Sequence, residues 1–219
     1  MPTIKDPIAF IRRETKIKAV PHAEEIRLHL ADEAIGLWQK TEEELGDLGL
    51  DPPFWAFAWA GGQGLARYIL DTPELVAGKH VLDFACGSGL VGIAAMKAGA
   101  VGCHAVDVDP MALAAARLNA DLNGVSLSLE TADITDGLPP DAGIVFCGDV
   151  FYDKAMAERV LSFLYRLVDA GKEVIVGDPG RSYLPTARLT ELAEYRVPVI
   201  RALEDNEIKH TRIFRLTKK

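Results

Sequence analysis

Residues 81–95, Val-Leu-Asp-Phe-Ala-Cys-Gly-Ser-Gly followed by Leu-Val-Gly-Ile-Ala-Ala, constrain this chain more than any other stretch. They read as a buried strand, a glycine turn and the first turn of an apolar helix. Gly87 and Gly89 allow backbone angles that a Cβ forbids, and they let a ligand approach the main chain closely. A loop ending at a helix N-terminus presents N–H groups to a polar or anionic ligand. The segment alone is also compatible with a tight strand-to-helix turn that holds nothing.

Downstream the pattern alternates. Strands are predicted at Val81–Phe84, Cys103–Val106, Leu127–Glu130, Ile144–Cys147 and Glu173–Val176, with helices at Leu90–Ala98, Met111–Asn123 and Ala155–Asp169. Such alternation means crossover units, hence an α/β fold: a mostly parallel, twisted sheet with helices on both faces. The strands are short apolar runs, as strands buried on both sides should be. Two late strands, about 196–201 and 211–216, flank a turn around 204–207 and predict an antiparallel hairpin at one edge of the sheet.

Upstream, residues 7–18 predict a short amphipathic helix whose Arg12, Arg13, Lys16 and Lys18 form a basic cluster. Residues 26–30 alternate as a half-buried strand does, and Asp32 is placed to cap a helix over about 33–45 that carries Ile35, Trp38 and Leu45 and ends near Gly46 or Gly49. The Asp51-Pro52-Pro53 breaker leads into Phe-Trp-Ala-Phe-Ala-Trp-Ala-Gly-Gly-Gln-Gly, residues 54–64. Two tryptophans and two phenylalanines in six residues are too many for an exposed loop, so they are core, or some of them wall a pocket for a flat ligand. Leu65 to Leu70 continues as helix.

Composition bounds the partners. A chain of 219 residues with 49% hydrophobic content buries roughly 70% of its unfolded surface without a disulfide or metal staple. It is read as a single domain, 1–219, with an N-terminal helical extension over 1–50 and a catalytic core over 51–219. A net charge of −8 argues against nucleic acid as a partner and suits a basic protein or peptide, although it also serves solubility alone. Cys86, Cys103 and Cys147 form no CxxC pair and the five histidines are scattered, so no metal site is expected. No apolar run approaches a membrane span and the first residues lack a signal-peptide core, so no membrane association and a cytoplasmic location are expected. A monomer is expected.

Ligands of open parallel sheets bind beyond the carboxyl ends of the central strands. Here those ends carry Asp83, Asp107 with Asp109, Asp133 and Asp149. An acid at the end of the second strand accepts ribose hydroxyls. Gly87, Gly89 and Gly92 can be forced onto a dinucleotide GxGxxG, but Asp83 just upstream would repel a pyrophosphate and attract an ammonium. The ligand that fits has an amino group, a ribose and an adenine without phosphate, which is S-adenosylmethionine.

These residues resemble the first motif of the class I, Rossmann-like seven-strand methyltransferase fold, with Ala85 where a glycine is usual. Residues 52–63, Asp149-Val150-Phe151-Tyr152-Asp153 and Gly177-Asp178-Pro179-Gly180-Arg181 resemble more selectively the lysine methyltransferases of the electron transfer flavoprotein β-subunit. The resemblance runs from about Ile26 to Leu216. It implies that Asp107 holds the ribose and that Asp133 with the Ile134 backbone reads the adenine. It further implies that Gly87, Gly89 and Asp83 serve the methionine end and that Trp59 closes the donor pocket. Asp149 and Tyr152 match the DxxY motif, where this family receives the target lysine.

The reaction so implied is attack of a lysine nitrogen on a sulfonium methyl, with S-adenosylhomocysteine as product. Lysine has a pKa of about 10.4 and is protonated at neutral pH. Asp149 attracts the ammonium but, as an acid, raises that pKa, whereas desolvation and the sulfonium lower it. The expected acceptor is the electron transfer flavoprotein β-subunit. A ribosomal protein lysine is one alternative, and a nucleotide-binding module or NAD-dependent oxidoreductase is another. Several residues carry simpler readings. Asp178 before Pro179 forms turns, Arg181 either bonds to it or contacts substrate, Asp109 caps the next helix, and Cys86 lines the loop.

Overall fold

The computed structural model describes residues 4–32, 36, 53–137, 141–185, 187–199 and 207–218. All but residue 36 of the helix expected over 33–45, its glycine stop at 46 or 49, the Asp51-Pro52 breaker, residues 200–201 of the first late strand and most of the 204–207 turn lie outside these.

Seven strands form the central sheet. In chain order they are β3 (His80–Phe84), β4 (Gly102–Asp107), β5 (Ser128–Thr131), β6 (Ile144–Gly148), β7 (Glu173–Asp178), β8 (Leu189–Pro198) and β9 (Ile208–Leu216). Their spatial order is β5-β4-β3-β6-β7-β9-β8. The first five are mutually parallel, β9 runs antiparallel to β7, and β8 pairs antiparallel with β9. Chain direction away from the centre reverses between β3 and β6, so the connections leaving these two strands open a crevice at their carboxyl ends.

The helices are α1 (Pro7–Glu14), α2 (Ala60–Asp71), α3 (Leu90–Lys97), α4 (Pro110–Leu122) and α5 (Lys154–Asp169). Successive residues of each strand point to opposite faces, and both faces are apolar here. Ile144 and Phe146 of β6 join Leu65 and Ile69 of α2 and Ile93 of α3 on one side. Val145 and Cys147 join Val160, Phe163, Leu164 and Leu167 of α5 on the other. This double burial explains why the strands read as continuous apolar runs.

Three segments differ from the sequence reading. The helix expected over residues 7–18 ends at Glu14. Thr15 takes extended angles and its hydroxyl bonds back to Ile11 O, and Lys16–Val20 becomes strand β1, antiparallel to β2 (Ala23–Leu30). The extension expected as helical therefore includes a hairpin, whose Val20, Ile26 and Leu28 are wholly buried against α2 and α3. Asp32 spends its carboxylate on Lys16 at 2.6 Å and on Lys18. Helix α2 starts at Ala60, five residues before Leu65, and so takes in Gly61, Gly62 and Gly64. Strand β8 begins at Leu189, seven residues before Arg196.

Those glycines let α2 lie directly on the sheet. A Cβ on Gly61 would stand 2.2 Å from Gly177 O and 2.5 Å from an Asp149 carboxylate oxygen, and one on Gly177 would stand 2.4 Å from Gly61 O. Gly148 faces Gly62, whose nitrogen lies 2.9 Å from its Cβ position. The N-terminus of α2 is thereby laid across the carboxyl ends of β6 and β7.

Candidate active site

The loop between β3 and α3 passes through three successive left-handed positions, Ala85 (φ 54°), Gly87 (φ 50°) and Gly89 (φ 77°). Ala85 alone carries a side chain in that conformation, which explains the glycine usual there. Gly89 is the N-cap of α3, and a Cβ on it would press on Ala116 at 3.0 Å. Gly87 has nothing within 4 Å of its Cβ position, so the loop has open space above it.

Asp107, at the end of β4, fixes this loop. One carboxylate oxygen accepts the Gly87 N–H at 2.9 Å and the other accepts the Asp109 N–H at 3.0 Å. Each oxygen keeps acceptor capacity for a further hydroxyl. Burial pushes its pKa upward, against the pull of these N–H groups. Asp109 caps α4 through Met111 N at 2.8 Å.

Asp83 lies deeper than its sequence position suggested. It is 2% exposed, accepts the Gly92 N–H at 2.8 Å, and burial drives its pKa to about 8. It supports the loop from below by holding the first turn of α3. Asp133 binds the backbone N–H of Thr135 at 3.0 Å, its hydroxyl at 2.5 Å and Arg159 at 2.5 Å, and these partners hold its pKa down. Ile134 is half-buried against the apolar cluster that contains Phe84. Cys86 is buried and its thiol is pushed far above the usual range, so it stays protonated.

Across the crevice, Asp149 follows β6 in a left-handed conformation (φ 57°) and is 8% exposed. One carboxylate oxygen accepts the N–H groups of Gly61 (2.5 Å) and Gly62 (3.2 Å) at the start of α2. The other accepts Arg181 Nε at 3.0 Å and Nη2 at 2.7 Å. Arg181 thus reaches Asp149 with its side chain, while its backbone N–H, with that of Gly180, bonds Asp178 Oδ1 at 2.7 Å. Asp178 is fully buried, its second oxygen has no partner among the described residues, and burial raises its pKa to about 6.

The aromatic stretch divides. Trp55 and Phe57 are buried against α1 and α4, as core. Phe54 and Trp59 remain partly open and meet edge to face with centroids 5.7 Å apart. Tyr152, 44% exposed, lies 5.3 Å from Phe54, and the Arg181 guanidinium stands 5.8 Å from the Trp59 ring. Phe54, read only as one of four aromatics that are core or wall a pocket, and Arg181, read as bonding Asp178 or contacting substrate, are the site residues to which sequence reasoning gave no definite role. The GDPGR segment held the signal for Arg181, but its partner on β6 is visible only once the sheet order is known. Among the described residues no cluster of His, Cys, Asp or Glu is arranged to hold a metal ion, and no helix is long and apolar enough to cross a membrane.

Comparison with known proteins bears on this rim. The family model of ribosomal protein L11 methyltransferase (PrmA) matches residues 67–163. The electron transfer flavoprotein beta subunit lysine methyltransferase of Xenopus laevis is 37% identical over 197 residues, covering 86% of this chain and 78% of that protein. The chain belongs to this family. Its Rattus norvegicus member is 40% identical over 152 residues, 67% of this chain and 60% of that protein. Among solved structures, magnesium protoporphyrin IX methyltransferase of Synechocystis PCC 6803, crystallised with bound S-adenosylmethionine, superposes with a TM-score of 0.53 at 18% identity, over 72% of this chain and 79% of that one. That likeness speaks for the class I methyltransferase fold. In this family member the glycine loop after β3 and the Asp149–Arg181 pair after β6 stand at the carboxyl ends of neighbouring parallel strands.

Proposed function

We propose that this protein is a protein-lysine N-methyltransferase that takes its methyl group from S-adenosylmethionine and delivers it to the electron transfer flavoprotein β-subunit. The observation that carries the reading is a family relationship extending over most of the chain, well beyond residues 67–163. The residues present also fit the donor. The space above Gly87 is open, and Asp107 beside it has acceptor capacity on both oxygens.

S-adenosylmethionine supplies a methyl group made electrophilic by positive sulfur. In this reading Asp107 binds the ribose hydroxyls, the Gly87–Gly89 backbone and the start of α3 receive the methionine end, and Asp133 and Ile134 border the adenine. Phe54, Trp59 and Tyr152 form an aromatic wall that takes the aliphatic stem of a lysine and excludes water. Tyr152 offers a hydrogen bond or a π face to the amine. Asp149 draws the side chain in, and the protein's main contribution is alignment of two reactants.

Incubation with methyl-labelled donor and purified electron transfer flavoprotein β-subunit, followed by peptide mass spectrometry, tests this. Label on lysine of that subunit is the expected result. Label on a ribosomal protein instead would favour the other acceptor suggested by the match over 67–163, and binding of NAD without S-adenosylmethionine in calorimetry would overturn the reading.

A further inference from the structure

We propose that Arg181 is a positioning residue for the acceptor amine: acting through Asp149, its guanidinium cancels the carboxylate's charge where the lysine enters, so that the amine sheds its proton before transfer. The inference rests on the methyltransferase reading and adds to it the residue that reconciles an acid with an amine nucleophile.

The difficulty is general. A carboxylate within about 4–6 Å of an amine raises its pKa by roughly one to three units. An amine already protonated at neutral pH is then held even more firmly as ammonium. Asp149 alone would bind lysine in the form that has no lone pair.

The geometry removes the difficulty. Arg181 meets one oxygen of Asp149 with both Nε and Nη2, at 3.0 and 2.7 Å, while Gly61 and Gly62 occupy the other oxygen. Both side chains are largely shielded from solvent, at 19% and 9% exposure, so their charges are weakly screened. The guanidinium lies between Asp149 and the face of Trp59. Arginine suits this task because it stays charged under all working conditions and presents a rigid fork.

The loop is built to return Arg181 to β6. Asp178 Oδ1 gathers the N–H groups of Gly180 and Arg181, and Gly180 takes a φ of 89° that reverses the chain. Asp178 in this view orients the loop, and Arg181 orients the charge. Asp178 on β7 acts electrostatically on both members of the pair, and α2 contributes backbone N–H groups.

The test is the pH dependence of kcat and KM for the full chain with saturating S-adenosylmethionine and the β-subunit, from about pH 6.5 to 10. In Arg181→Met the acid limb moves up by about one to two pH units, so kcat falls about 10- to 100-fold near pH 7.5 and recovers toward pH 10. Arg181→Lys keeps the wild-type limb. Adding Asp149→Asn to Arg181→Met brings the limb back, which separates Asp149 from Asp178, since Asp178 also loses a cation in the single variant. A loss in Arg181→Met that is equal at every pH, or a limb that the double variant does not restore, overturns the proposal. Should Arg181→Met fail to bind donor, Asp149→Asn alone decides. It leaves the guanidinium unopposed and moves the limb down, and an unmoved limb overturns the proposal. A wild-type protein that methylates no protein lysine removes the proposed function itself, before any variant is compared.

Discussion

Ala85, in the loop after β3, and Asp83, near the end of that strand, show how strain and burial have measurable consequences. Ala85 holds φ at 54°, where a Cβ crowds the backbone. Ala85→Gly relieves about 1–2 kcal/mol of that crowding and gives back roughly half in unfolded-chain entropy. A net gain of about 0.5–1 kcal/mol is expected, seen as a rise of roughly 2 °C in Tm. Asp83 shows the opposite cost. Its pKa rises from 3.8 in the unfolded chain to about 8 in the fold because burial disfavours its charge. Between these values the native state holds a proton that the unfolded state has lost, so the contribution of this group to stability is greatest below pH 4 and is lost as pH rises toward 8. The slope from this group reaches at most about 1.4 kcal/mol per pH unit. Asp83→Asn keeps an oxygen for the Gly92 N–H and removes the titration. Urea unfolding between pH 5 and 8 should show a shallower decline for this variant than for wild type, and parallel curves would exclude Asp83 as the source.

The seating of α2 on the ends of β6 and β7 is an interface made of backbone. Gly177→Ala puts a methyl 2.4 Å from Gly61 O and 2.6 Å from Leu65 Cγ, with no flexible side-chain end to yield. Overpacking of this kind costs about 1–3 kcal/mol, and it tilts the helix start away from Asp149. Gly62→Ala is the control, because its Cβ meets nothing nearer than Leu90 Cδ2 at 3.8 Å. Denaturant midpoints should separate the two, with Gly177→Ala destabilised and Gly62→Ala near wild type. This contact also marks where the sequence stopped being legible. The alternation of apolar runs with helical patterns specified the parallel core and its late hairpin, since each follows from local periodicity. Strand-end acids were likewise visible, because β3, β4 and β6 end where their apolar runs end. The helix read from Leu65 left out the glycines of residues 61–64, because their use depends on Gly148 and Gly177, which come 80 or more residues later in the chain. The early strand β1 was hidden for a related reason: Lys16-Ile17-Lys18 gains strand character only from pairing with Leu30, His29 and Leu28. The depth of Asp83, as against the accessibility of Asp107, depends on which side of the loop each faces, and residue spacing carries no such information.

On the proposed function the molecule as a whole divides its work at the β3–β6 crevice, donor on one side and acceptor on the other, and the two halves should be separable by mutation. Asp107 holds the loop after β3 through Gly87 and also accepts Asp109 N–H, while Asp149 binds Gly61, Gly62 and Arg181. A ligand that binds only the native state stabilises it by about 2.7 kcal/mol at a hundredfold excess over Kd. For a chain of this size that corresponds to a Tm increase of roughly 5–10 °C. S-adenosylmethionine should produce this shift in wild type and NAD should not. Asp107→Asn should lose most of the shift, because an amide offers one acceptor oxygen where the ribose and two N–H groups require two. Asp149→Asn should keep the shift while KM for the protein acceptor rises, because the Arg181 guanidinium is left unopposed where the lysine ammonium enters. The paired measurement is thermal unfolding with and without donor, run beside label incorporation for the same three proteins. If Asp149→Asn abolished the donor-induced shift as fully as Asp107→Asn does, Asp149 would belong to the donor pocket, and the acceptor would have to be received elsewhere along the rim.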